Sequence, residues 1–223
     1  MDEHLRALAR HATIYPTELE TRIAHLRGRL RSGELSDEQL ALGTWLGDPA
    51  ALAIVGKQDI PERLEAWIDG FHRWGMEARV RAALALCEHV SVQPKLVLDP
   101  LRGAGKRLGD PDTALLAVEA VRDWLRCPCE AHRKACWRAA DNAGCDYPSA
   151  KRSGDPAWGA YAQTSSATAY LVSSGPGYEV SSGHEAEAAR AVASDDALRR
   201  AVATALLPWV WRLSAVRAPQ PPP

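Results

Sequence analysis

The sequence predicts an all-α protein, and three observations carry that prediction. The 223 residues include 39 Ala and 22 Arg but a single Phe, a composition of helix formers with a few large anchors, eight of them Trp. Apolar residues recur at three- and four-residue spacing through most of the chain, the period of a helix with one buried face. A Gly-Asp-Pro phrase stands at Gly47-Asp48-Pro49, Gly109-Asp110-Pro111 and Gly154-Asp155-Pro156. Gly can take the left-handed conformation that ends one helix. Asp then accepts the free N–H groups of the next, and Pro fits its first position, where the missing donor costs nothing. The expected architecture is a globular domain of about nine to eleven helices packed in antiparallel pairs.

Each element follows in order. Leu19, Ile23, Leu26 and Leu30 form one helical face, with Thr17 as its cap and Gly33 as its stop. Ser36 caps a short helix through Leu46, with Gln39 at the capping-box position. After the first Gly-Asp-Pro corner, Pro61 opens a helix from Glu62 to Trp74 whose stripe is Leu64, Trp67, Ile68 and Phe71, and Gly75 breaks it. Met76 to Val90 follows with Val80, Ala83, Leu84 and Cys87 inward, and then a less regular stretch from Val92 to Leu101. Leu115, Val118, Val121, Trp124 and Leu125 give the stripe of the next helix, and Cys129 to Ala140 is another. Asn142 to Pro148 has the turn residues of an exposed loop. Residues 157–172 read as a helix of Ala, Thr and Ser, with a weak hairpin over 169–181 as the alternative. Ser173 to Gly183 is a Ser/Gly connection, and helices run from about Glu185 to Val192 and from Asp195 to Val216.

Domain and compartment follow from composition. Residues 1–217 are expected as a single all-helical domain, with a sub-division near 91–109 and a disordered proline tail over 218–223. Hydrophobic residues make up 46% and charged residues 25%, and the net charge of −1 offers no bulk field for nucleic acid or an anionic membrane. The apolar run from Ala201 to Val216 is too short for a span and holds Pro208 and Arg212. The charged N-terminus lacks the apolar core of a signal peptide, so a cytoplasmic protein is expected. The basic residues from Arg22 to Arg31 are balanced by the flanking Glu18, Glu20 and Glu34 and read as a solvated face.

The residues that bear chemistry concentrate in Cys127-Pro128-Cys129-Glu130-Ala131-His132-Arg133-Lys134-Ala135-Cys136. Cys127, Cys129, His132 and Cys136 are the candidate metal ligands, because three thiolates and an imidazole match a closed tetrahedral zinc site. Against this, Cys129 and Cys136 are separated by about 10.5 Å along a helix at 1.5 Å per residue. Cys129, near a helix N-terminus with His132 one turn on, is also a candidate nucleophile, although no third group orients a base. Gly103-Ala104-Gly105-Lys106 lacks the spacing and the hydroxyl of a phosphate loop. With no catalytic signature, the expected protein is non-enzymatic and holds no cofactor, zinc being the alternative.

Trp residues fall on nearly every predicted helix and read as core pins. Trp209 and Trp211 point about 200° apart on a helix, so one of them is the candidate exposed anchor for a partner. Tyr147 and Tyr178, in the two predicted loops, complete the candidate partner-binding residues.

Three phrases carry a family resemblance: Ser36 to Leu42 with Leu46-Gly47-Asp48-Pro49-Ala50-Ala51, then Arg73 to Ala83, then Ala117 to His132. They resemble a helical family abundant in myxobacteria and planctomycetes, and the latter half is similar to the Imm5-like immunity proteins. The resemblance implies an all-α protein that binds and neutralises a toxin by covering its surface, and it carries over no catalytic residue. The expected function is therefore a protein-interaction module. The alternatives are a zinc- or thiol-dependent protein built on Cys127 to Cys136, and a structural subunit of a larger assembly.

Overall fold

The computed structural model describes residues 16–91, 111–152, 155–174 and 183–212, and the protein is all-α. The helices are α1 (Pro16–Arg31), α2 (Asp37–Trp45), α3 (Pro49–Val55), α4 (Leu64–Asp69), a 3-10 turn (Gly70–Trp74) and α5 (Gly75–Ser91). They continue with α6 (Pro111–Arg126), α7 (Glu130–Arg152), α8 (Pro156–Ser174), α9 (Gly183–Arg190) and α10 (Asp195–Arg212). Two compact units result, residues 63–202 and the remainder of the chain on either side, with the division at 202/203 falling inside α10. The Val92–Leu101 stretch, Gly109-Asp110 and the proline tail lie outside the described residues. Among the described residues, no helix is long and apolar enough to cross a membrane.

In the first unit the caps expected at Ser36 and Asp48 form, whereas α1 begins at Pro16 and so includes Thr17, its expected cap, within the helix. Gln39 N–H donates to Ser36 Oγ at 3.2 Å and Ser36 N–H to Gln39 Oε1 at 2.9 Å, a reciprocal capping box. Gly47 takes φ +79°, a conformation open to Gly and strained for other residues. Buried Asp48 then accepts the N–H groups of Ala50 and Ala51 through Oδ1 and the Arg22 guanidinium at 2.5 Å through Oδ2. Leu26, Leu35, Leu40, Ala50 and Ala51 form the core, with Leu19, Ile23, Leu30 and Ile54 packed on it. Trp211 packs on the same core. Its ring lies so close to Gly43 that a Cβ there would sit 2.3 Å from Cη2. The end of α10 is fastened by Arg29, donating to Trp211 O at 2.8 Å, and Gln39, donating to Val210 O at 2.9 Å. Both carbonyls belong to the last turn, where no partner exists within the helix.

The second unit is organised around α8, which packs against α5, α6, α7 and α9. Asp155 starts it by accepting the N–H groups of Ala157 at 2.8 Å and Trp158 at 3.0 Å. Nearly every face of α8 is buried, yet its side chains are Ala, Ser and Thr as much as Trp158, Leu171 and Val172. Small residues let the neighbouring helices approach, and the buried hydroxyls find backbone acceptors. Thr164 donates to Ala160 O at 2.9 Å, Ser165 to Ala162 O at 3.1 Å and Thr168 to Thr164 O at 2.7 Å. Ser166 instead crosses to Ala140 O on α7 at 3.0 Å. The predicted stripe Leu64, Trp67, Ile68 and Phe71 is buried, although the helix begins at Leu64 and tightens to a 3-10 turn before Gly75 at φ +87°.

Three expectations are corrected here. Residues 169–174 are the last turns of α8, so they form no hairpin strand, and 175–182 lie outside the described residues. Residues 142–148 continue α7 instead of forming a loop. Pro148 removes only one N–H from the ladder, while Gly144 comes against Ser166 and Tyr170, and the Tyr170 hydroxyl reaches Asp141 at 3.5 Å. The buried stripe of α6 is Ala114, Ala117, Val118 and Val121, with Leu115 and Leu116 left 43% and 55% exposed. Alanines permit the close approach to α8 that leucines would prevent.

Candidate functional site

The candidate site is the turn between α6 and α7. The Cys127 N–H closes α6 by donating to Asp123 O at 3.0 Å. Pro128 follows, with its φ fixed near −65°. The Cys129 N–H then donates back to Cys127 O at 2.8 Å, two residues apart, the bond of a γ-turn. The Cys129 carbonyl accepts from Arg133 N–H at 3.0 Å, which makes Cys129 the N-cap of α7. Its sulfur stands where Ser or Asp usually caps a helix and accepts the backbone N–H groups of His132 and Ala131. Arg133 steadies the turn by donating to Ser173 O at the end of α8 at 3.2 Å.

His132 rises from the first turn of α7 into the same space. Its Nδ1 is 2.9 Å from Cys127 O and 3.3 Å from Cys129 Sγ. A carbonyl only accepts, so in this arrangement Nδ1 carries the proton. Cys127 is exposed, while Cys129 and His132 are half-buried, and one ligand atom from each lies within 4.8 Å of the other two.

Local dipoles set the charge state. The N–H groups of His132 and Ala131, with the Cys127 thiol, pull the Cys129 thiol below its ordinary value. Cys127 moves the opposite way, because its S–H is held by Cys129 and a second negative charge beside that sulfur is disfavoured. The Cys127 carbonyl and the Cys129 sulfur together raise His132. Glu130 stays apart, with Arg133 holding its carboxylate at 2.7 Å and 3.0 Å and keeping it ionised.

The structure therefore gathers Cys127, Cys129 and His132 and leaves out Cys136. Cys136 lies two turns along α7 on the buried face, where burial pushes its thiol up to about 12. Of the candidate partner residues, Trp209 and Trp211 are both half-buried, and the Tyr147 side chain and Tyr178 lie outside the described residues. Sequence reasoning missed Trp137, which is 56% exposed on α7. Its signal was present in register: one residue past buried Cys136, it is turned about 100° from the buried face. An open cleft of about 440 Å³ beside Lys151, Asp155 and Gln163 gathers no comparable chemistry, since Asp155 is engaged in capping α8.

Two thiols and an imidazole suit soft or borderline metal ions such as zinc. Tetrahedral zinc, with Zn–S near 2.3 Å and Zn–N near 2.05 Å, places sulfur and nitrogen about 3.5 Å apart. The Cys129 Sγ to His132 Nδ1 separation of 3.3 Å is close to that span. Ligation through Nδ1 requires the imidazole to give up its proton and its bond to Cys127 O. Comparisons of the chain with protein-family models, with curated proteins and with solved structures find no match.

Proposed function

We propose that the protein binds a single soft divalent metal ion, of the zinc class, through Cys127, Cys129 and His132. The observation that carries this reading is the convergence of the three ligand atoms within 4.8 Å at the start of α7. Three protein ligands leave a fourth position for water or for a group from another molecule, the pattern of zinc sites that act rather than only brace a fold. The cap geometry holds the Cys129 sulfur in place before metal arrives, and the γ-turn holds Cys127 beside it.

The test is a zinc titration of the purified chain against a chromophoric chelator, with metal content measured after dialysis. One equivalent is expected in the wild type, lost in Cys129→Ala and in His132→Ala, and retained in Cys145→Ser, which alters an exposed thiol elsewhere on α7. Absence of binding, or binding unchanged by Cys129→Ala, would sink the reading.

A second reading, the protein-interaction module, is favoured by the exposed Trp137. Large aromatic side chains at the surface are common anchors of binding interfaces. Leu115 and Leu116 add exposed apolar side chains on α6, the helix that packs beside α7. Under this reading, covering a protein toxin is one form the interaction takes.

A further inference from the structure

We propose that the metal-free Cys127-Pro128-Cys129 turn carries out thiol–disulfide exchange with small disulfides and closes a Cys127–Cys129 disulfide. The inference goes beyond metal binding and does not need it to hold. It rests on three features of the turn. The γ-turn hydrogen bond of 2.8 Å folds the chain back over Pro128, and a turn this tight leaves the two Cα atoms at the roughly 5.5–6 Å that disulfides most often span. Both sulfurs already lie within 4.8 Å of one another. Exposure is divided between them: Cys127 is open to solvent, while Cys129 is half-buried beside it against the N–H groups of α7.

That division orders the reaction. Solvent access decides which sulfur meets the disulfide first: exposed Cys127, attacking as its thiolate, forms a mixed disulfide with a low-molecular-weight disulfide and releases one thiol, which takes up a proton, while Cys129, the more readily ionised of the two, waits as the resolving sulfur. Cys129 then attacks the Cys127 sulfur, and the second thiol leaves with the second proton. One disulfide and the protein dithiol become the protein disulfide and two free thiols, so the two electrons lost by the turn are gained by the small disulfide. The disulfide is open to solvent on its Cys127 side, so excess dithiol can reach and reopen it. The remaining cysteines cannot substitute. Cys87 and Cys136 are buried, and exposed Cys145 stands about 24 Å along α7 from Cys129 at 1.5 Å per residue.

The experiment treats zinc-free full-length protein with oxidised glutathione and maps the products by mass spectrometry of peptides. The wild type is expected to lose two hydrogens in the peptide holding Cys127 and Cys129, with no glutathione retained there. Cys129→Ser is expected to stop at the mixed disulfide on Cys127. Serine is itself a preferred N-cap, so this variant keeps the start of α7 and changes only the resolving sulfur. A wild type that gains glutathione on Cys145 but closes no disulfide in the turn overturns the proposal. So does a Cys129→Ser variant that keeps no glutathione on Cys127. Repeating the reaction with zinc separates the two readings. Closure indifferent to added zinc supports exchange and overturns the metal reading, whereas zinc binding without closure in the zinc-free chain overturns exchange alone.

Discussion

Cys87 shows how one buried side chain ties stability to pH. It lies fully inside the second unit on α5, against Thr164 of α8, and burial pushes its thiol up to about 12 from an ordinary 9.0. Unfolded, the thiol ionises from about pH 9, while in the fold it holds its proton to about 12, so unfolding between those values releases a proton. The contribution of this thiol is complete below pH 9 and declines as pH rises, by at most about 1.4 kcal/mol per pH unit. Urea unfolding at about pH 8.5 and about pH 10.5 checks this, because Cys87→Ala should lose less stability between the two than the wild type. Equal losses would assign the alkaline decline to other groups. At this scale the candidate site was half legible. The spacing of Cys127, Cys129 and His132 in the sequence already allowed them to meet, and helix rise argued against Cys136. The γ-turn was hidden, because Pro128 fixes its own φ but leaves ψ free to open or fold the chain.

Elements whose ends are set locally were readable, and faces set by packing were not. Ser36 with Gln39, and Asp48 with Pro49, determine helix starts through bonds within three residues, and each formed as expected. The orientation of α6 was missed because hydropathy ranks Leu115 above Ala114, whereas contact with α8 selects the smaller side chain. The extent of α7 was missed because its turn-like residues, Asn142 to Pro148, are held helical by contacts with α8 that are remote in sequence. The close meeting of α2 and α10 gives a sharp test. Gly43→Ala should gain about 1 kcal/mol in helix propensity but force a Cβ into the Trp211 ring, an overpacking cost of about 1–3 kcal/mol. Its net effect should be destabilising in the wild type and stabilising in a Trp211→Ala background. A double-mutant cycle of urea midpoints measures the coupling, and additive effects would show that Gly43 and Trp211 do not constrain each other.

For the whole molecule, the all-α class followed from composition and period, but its partition did not. The boundary at 202/203 interrupts no helical pattern, since α10 is continuous through it. Sequence period records which residues turn inward, without recording which core they join. The same blindness hid Trp137, whose aromatic character alone suggested a core pin. If the molecule works by binding a protein, Trp137→Ala should weaken affinity for that partner about 30-fold, the size of a 2 kcal/mol hot spot, with urea stability unchanged. Calorimetry against a partner captured on the wild-type protein measures it, and equal affinity for both forms would exclude Trp137 as an anchor.

The central helix α8 has a consequence of another kind. Most of its hydroxyls are answered by its own carbonyls, one turn back, which is how polar residues are carried on helices that cross lipid. Such a helix asks its surroundings for room and contact and makes few demands for matching donors or acceptors. The helices around it therefore meet few fixed donors or acceptors on α8, and where one does cross, from Ser166 to Ala140 O, it ties the position of α7.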